Sequence, residues 1–134
     1  MTSIAKIEGI GPVFKEKLVA AGIKTTEKLL EVACKAKARE ELAQKTGITS
    51  KLILEWVNLG DLMRIKGVGE EYSDLLEEAG VDTIAELANR KADNLLAKIL
   101  ETNEKEKLVR RPPVLKQVQE WIEQAKKLPR KVEY

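Results

Sequence analysis

The sequence predicts an all-α fold of about nine short helices arranged as two pseudo-repeats. Three observations carry this. The 134 residues are 43% hydrophobic and 34% charged with only 4% aromatic, and Ala, Leu, Glu and Lys, strong helix formers, dominate. Apolar residues recur at helical spacing between glycine and proline stops, without the β-branched and aromatic runs that mark strands. Finally, IEGIGPVFKEKLVAAGI, residues 7–23, returns as IKGVGEEYSDLLEEAGV, residues 65–81.

In chain order, Ser3 to Ile7 reads as a short lead-in helix capped by Thr2 or Ser3, with Ile4 and Ile7 on one face. A second helix follows from about Pro12 to Ala21, proline being harmless at a first helical position. Its Val13, Phe14, Leu18 and Ala21 are expected in the core. Thr25 is the expected N-cap of a helix from Thr26 to about Cys34, with Leu29, Leu30 and Ala33 inward. Another spans Ala36 to Thr46 and stops at Gly47. Thr49 or Ser50 opens a longer helix that carries Leu52, Ile53, Trp56, Val57, Leu59 and Leu62 inward. The second copy follows at an offset of 58, with eight identities over residues 7–29. Thr83 with Glu86 forms a capping-box pattern, and Asp93 is the expected cap of a helix from Asn94 to about Leu100. Pro112 and Pro113 precede a last helix whose expected stripe is Val114, Val118, Trp121, Ile122 and Ala125. LEWV at 54–57 matches QEWI at 119–122, so the repeat gains seven residues, placed in ETNEKEKLVRRPP. After Pro129 the tail PRKVEY is expected to be loose. Leu59 to Arg64 reads as helix, which favours one integrated domain, 1–134, of two halves meeting near residues 62 and 63.

Within each copy, one helix ends, a Gly-hydrophobic-Gly turn follows, and a new helix begins. Gly9 and Gly67 suit the positive φ of a tight turn, and Gly11 and Gly69 suit a helix start close to other backbone. Gly22 and Gly80 close the helices. The first N–H groups of the new helix lack intrahelical partners and lie at its positive pole, which is a seat for phosphate. These residues resemble the helix-hairpin-helix family, in which backbone N–H groups of the turn grip DNA phosphates largely without reading sequence. The whole layout, two such turns followed by TTEKLL and DTIAEL, resembles the bacterial domain of unknown function 4332. The hairpin pattern covers about a quarter of the chain.

The net charge of +2 is too small to imply a polyanionic partner by itself. Its distribution is uneven: +3 over residues 1–60, −6 over 61–104 and +5 over 105–134. The candidate nucleic-acid contacts are Gly9, Ile10 and Gly11 with Lys15 and Lys17, then Gly67, Val68 and Gly69, and from the basic run Arg110, Arg111 and Lys116. Glu8 in the first turn opposes phosphate. At the second, Lys66 helps while Glu70, Glu71 and Asp74 complement the helix dipole and oppose DNA. Trp56 and Trp121 lie in amphipathic stripes and read as core rather than stacking platforms.

The chain contains no histidine and one cysteine, Cys34, read as a packing residue. It also has no P-loop, no metal-ligand cluster and no Gly-x-Ser-x-Gly elbow, so the expectation is a non-enzyme without catalytic residues, metal or cofactor. No apolar stretch approaches the roughly 20 residues that span a bilayer, and the amino terminus lacks an apolar signal core. The expected setting is the cytoplasm, away from membranes. Two functions remain open: a sequence-independent duplex DNA binder using the turns, or a helical module that docks another protein.

Overall fold

The structure, a computed structural model, describes residues 2–133. Among them are eight α-helices and one 3-10 turn: Ile4–Lys6 (3-10), α1 Pro12–Ala20, α2 Thr26–Ala33, α3 Ala36–Thr46, α4 Ser50–Leu62, α5 Glu70–Glu78, α6 Ile84–Ala88, α7 Ala92–Glu106 and α8 Leu115–Lys127. Extended backbone pairs at a single bridge among the described residues, Ser3 with Thr25. The helices divide into two compact units, residues 1–61 with 131–134, and residues 62–130.

In the first unit the lead-in segment tightens to a 3-10 turn. Ser3 Oγ accepts from Ala5 N–H at 3.2 Å, while Ile4 N–H reaches Lys24 O and Thr26 N–H reaches Thr2 O. Ile4 and Ile7 are buried. The α1 stripe is narrower than its apolar residues suggest: Leu18 is buried and Phe14 half-buried, but Val13 is 66% exposed. Phe14, Leu18 and Ala21 lie four and three residues apart along one face, and Val13 is turned about 100° away. Thr25 Oγ1 caps α2 by accepting from Lys28 N–H at 3.1 Å, and Leu29, Leu30 and Ala33 are buried. Gly47, at φ +76°, ends α3. In α4, Ile53, Trp56, Val57 and Leu59 are buried, as is Leu62, the first residue of the second unit.

The tail departs from expectation. Val132 is 1% exposed, Glu133 N–H donates to Cys34 O at 2.8 Å, and Arg39 Nη2 donates to Glu133 O at 2.6 Å. Arg39 is itself buried and bonds Ala33 O and Cys34 O through Nη1. A buried guanidinium needs several acceptors. Here it takes carbonyls freed at the end of α2 together with one from the tail, which is why residues 131–133 pack rather than fray.

The second unit closes on α5, α6, α7 and α8 around Leu75, Leu76, Ile84, Leu87, Ile99 and Trp121. Thr83 Oγ1 caps α6 through Glu86 N–H at 3.4 Å. The reciprocal arm differs from a capping box, since Glu86 Oε2 accepts from Asp82 N–H at 3.0 Å. Burial, with Glu86 nearby, pushes the Asp82 carboxyl above its ordinary value against the pull of Arg90. Helix α7 starts before Asp93 and runs through Glu106, so six residues of the segment read as an insertion are helical. Asp93 Oδ1 bonds the Asn94 N–H rather than capping from outside. A buried Thr102 and the Glu101–Lys105 pair carry the extra turns. Lys107 ends the helix at φ 51°, the one positive φ outside glycine among the described residues. Val114, expected in the α8 stripe, is 60% exposed as the N-cap residue, while Val118, Trp121, Ile122 and Ala125 are buried.

Replacing Arg39 with Ala leaves carbonyls of Ala33 and Cys34 without that donor, at about 1–3 kcal/mol per unsatisfied buried group. The expected outcome is a loss of about 2–4 kcal/mol in denaturant unfolding, with a similar loss in Val132→Asp. Melts of both variants matching the parent show the tail to be dispensable.

Candidate nucleic-acid interface

Both glycine turns are built alike. In the first, Ile10 N–H bonds Ile7 O at 3.2 Å, Gly9 stands at φ +93°, and Ile10 is buried between two exposed glycines. Gly11 is the N-cap of α1, Pro12 opens it, and Lys15 N–H bonds Gly11 O at 2.9 Å. In the second, Val68 N–H bonds Ile65 O at 3.1 Å, Gly67 stands at φ +95°, Val68 is buried, and Ser73 N–H bonds Gly69 O at 2.9 Å. The same bonds therefore recur 58 residues along. Each turn rests on a tryptophan: Trp56 Nε1 lies 3.4 Å from where a Cβ on Gly9 would stand, and Trp121 Nε1 lies 3.3 Å from that on Gly67. A second ring braces each indole, Phe14 at 5.1 Å from Trp56 and Tyr72 at 5.2 Å from Trp121.

Gly9 and Gly67 are thus held by backbone conformation and by contact together. Gly11 and Gly69 are not. Their φ values, −84° and −107°, are open to any residue, and a Cβ at either would meet nothing within 4 Å. The expectation that they admit close internal backbone is overturned, because the helix starts face open space. Neither supplies a capping side chain, which leaves the first N–H groups of α1 and α5 to solvent or ligand.

Lys15 and Lys17 are exposed on α1, as is Glu8 in the turn. The basic run belongs with the second turn. Tyr72, where the first unit has Phe14, uses its added hydroxyl to donate to Arg111 O at 2.9 Å. Asn103 holds the same loop by bonding Val109 at both N–H and carbonyl, at 3.0 and 3.1 Å. Arg110 and Arg111 are exposed on it. An open cleft of about 550 Å³ beside it is lined by Glu71, Glu104, Lys107 and Arg110 among others, so the acid at the start of α5 shares its surroundings with two cations. Lys116 lies further off, exposed in the first turns of α8 on the face that also carries Glu120 and Gln124.

Three residues that matter at these turns are not among the candidates read from sequence. Gln124 clips the second turn by accepting from Lys66 N–H at 2.8 Å and donating to Lys66 O at 3.1 Å. At the matching place α4 has Leu59, which has no such groups, so the first turn keeps those positions free of a clip. Asn103 and Tyr72 complete the set. Only Tyr72 had a signal in the sequence, as the Phe-to-Tyr change between copies.

Among the described residues no cluster of three or more His, Cys, Asp or Glu is placed to hold a metal, and no helix is long and apolar enough to cross a membrane. The family model for the domain of unknown function (DUF4332) matches residues 8–128, and the chain belongs to that family. No curated protein and no solved structure matches the chain.

Asn103→Ala releases both bonds to Val109. Limited trypsin digestion is expected to cut after Lys107, Arg110 or Arg111 several-fold faster than in the parent, since local opening governs such cleavage. An unchanged digestion pattern shows that the loop is held by other means.

Proposed function

We propose that the chain binds nucleic-acid phosphates, duplex DNA in preference, without reading sequence and through both glycine turns in the helix-hairpin-helix manner. The observation that supports this most is Gly11 with Gly69. The fold requires glycine at neither, yet both stand at the uncapped start of a helix with open space around them, and a glycine there adds no bulk beside the N–H groups that a phosphate would approach. We read the shared bonds of the two turns as an internal duplication of one such seat. Serving chromosomal DNA, the protein would work in the cytoplasm, in keeping with the bacterial family it resembles.

Electrostatics favours the first turn, followed by Lys15 and Lys17, over the second, followed by Glu70 and Glu71. The loop of Arg110 and Arg111 offsets part of that disadvantage. A protein partner is the competing reading, and Val13 supports it: a valine 66% exposed in the first turn of α1 gives an apolar contact beside the glycine turn.

Duplex DNA is expected to bind with a dissociation constant on the order of 10⁻⁴ to 10⁻⁶ M at physiological salt, weakening as salt rises. Lys15→Glu combined with Lys17→Glu should weaken binding and flatten the salt slope, and Lys66→Glu should do little. Equal losses from the two changes overturn the asymmetry. Absence of binding at low salt leaves the protein-partner reading. As a check on the glycines, Gly9→Val and Gly67→Val should each cost about 1–3 kcal/mol of stability, whereas Gly11→Ser should leave the melt intact and reduce DNA affinity.

A further inference from the structure

Beneath each glycine turn lies a polar group that the fold leaves unused. Trp56 and Trp121 are 2% and 3% exposed, yet among the described residues neither indole N–H has an acceptor. The only side-chain polar atom that is both sealed from solvent and unpartnered among those residues is Asn58 Oδ1. The indole N–H groups are therefore not sealed, and each nitrogen lies beside the glycine of the turn above it. The glycine leaves the room beside it: a Cβ on Gly9 would stand 3.4 Å from Trp56 Nε1, and one on Gly67 3.3 Å from Trp121 Nε1. A side chain at either position would begin in close contact with the donor nitrogen.

We infer that these two indole N–H groups are ligand donors, each joining the uncapped N–H groups of the following nine-residue helix to bind a phosphate oxygen of the nucleic-acid backbone. The inference rests on the proposal above and adds an uncharged donor to it. An indole nitrogen donates and never accepts, so it has use for an anion and none for a cation. Its bond to a charged oxygen is of the stronger kind. Because Phe14 and Tyr72 brace the rings, little side-chain freedom is lost when the ligand arrives. The two seats are not equal in what surrounds the donor. At the second, Lys66 N–H is taken by Gln124, so the indole supplies a larger share of the remaining donors there.

The chain has two tryptophans, so a heteronuclear NMR spectrum shows two indole signals, assigned by Trp56→Phe and Trp121→Phe. Titration of the whole chain with a short DNA duplex should shift the Trp56 indole signal downfield and saturably, together with the Gly11 amide. The Trp121 signal should follow with the Gly69 amide at higher duplex concentration. Where a phenylalanine variant fails to fold, replacement of both tryptophans by benzothienylalanine keeps the ring shape and removes only the N–H. Duplex affinity of the folded analogue should fall about tenfold, equivalent to 1.4 kcal/mol. Full affinity in that analogue, or glycine amides that shift while both indole signals stay still, overturns the indole role and leaves the DNA reading standing. A parent protein that binds no duplex at low salt overturns both.

Discussion

The contact between an indole edge and a glycine of positive φ is the constraint on which each unit depends. A chain that turns sharply between two helices leaves a thin strip of backbone with little apolar surface of its own, and a large flat side chain from a longer helix supports it. The requirement runs both ways. The turn must be glycine because φ near +93° or +95° strains other residues, and the indole nitrogen, 3.4 or 3.3 Å from a Cβ placed there, adds a close contact. The helix brings tryptophan, whose ring also meets the aromatic ring of α1 or α5. Ile7, Ile10 and Leu18 in one unit, and Ile65, Val68 and Leu76 in the other, are buried around this arrangement.

Charge then distinguishes two turns of one geometry. At α1 the cations lie on the helix that follows the turn, while at α5 the helix carries acids that stabilise its own dipole and the cations come on a loop fixed by Tyr72 and Asn103. A charge carried on a helix is placed by that helix's own phase. One carried on a loop depends on the hydrogen bonds that hold the loop, so those bonds become part of the electrostatics. The bond from Gln124 to Lys66 stiffens the second turn further, and nothing equivalent is available from Leu59.

Local signals in the sequence were sufficient wherever local physics decided the outcome. The N-caps Thr25 and Thr83, the stop at Gly47 and the buried faces of α4 and α8 all follow from spacing and capping chemistry within a few residues. Where an interaction joined distant residues, the reading failed. Thr102 is buried and α7 runs out to Glu106, which no local periodicity in a run of Glu, Lys and Asn announces. Val13 and Val114 look inward on apolar character alone, yet each stands at a helix start, before the next turn sets the face toward the core. At the candidate site the glycines and lysines were legible. The open space at Gly11 and the tryptophan beneath Gly9 arise only from the folded arrangement.

The bond from Arg39 to Glu133 joins residues 94 apart, and its consequence concerns time as well as space. The first unit is finished by a segment that leaves the ribosome only after the whole of the second unit has been made. Until then Arg39 lacks the carbonyl of Glu133, and Val132 has yet to be buried. Loop closure over so long a span is slow compared with local helix pairing, and domains made first generally fold first. Here the earlier unit waits on the later one, so a nascent chain halted anywhere within residues 62–130 holds a first unit whose last packing step has no partner.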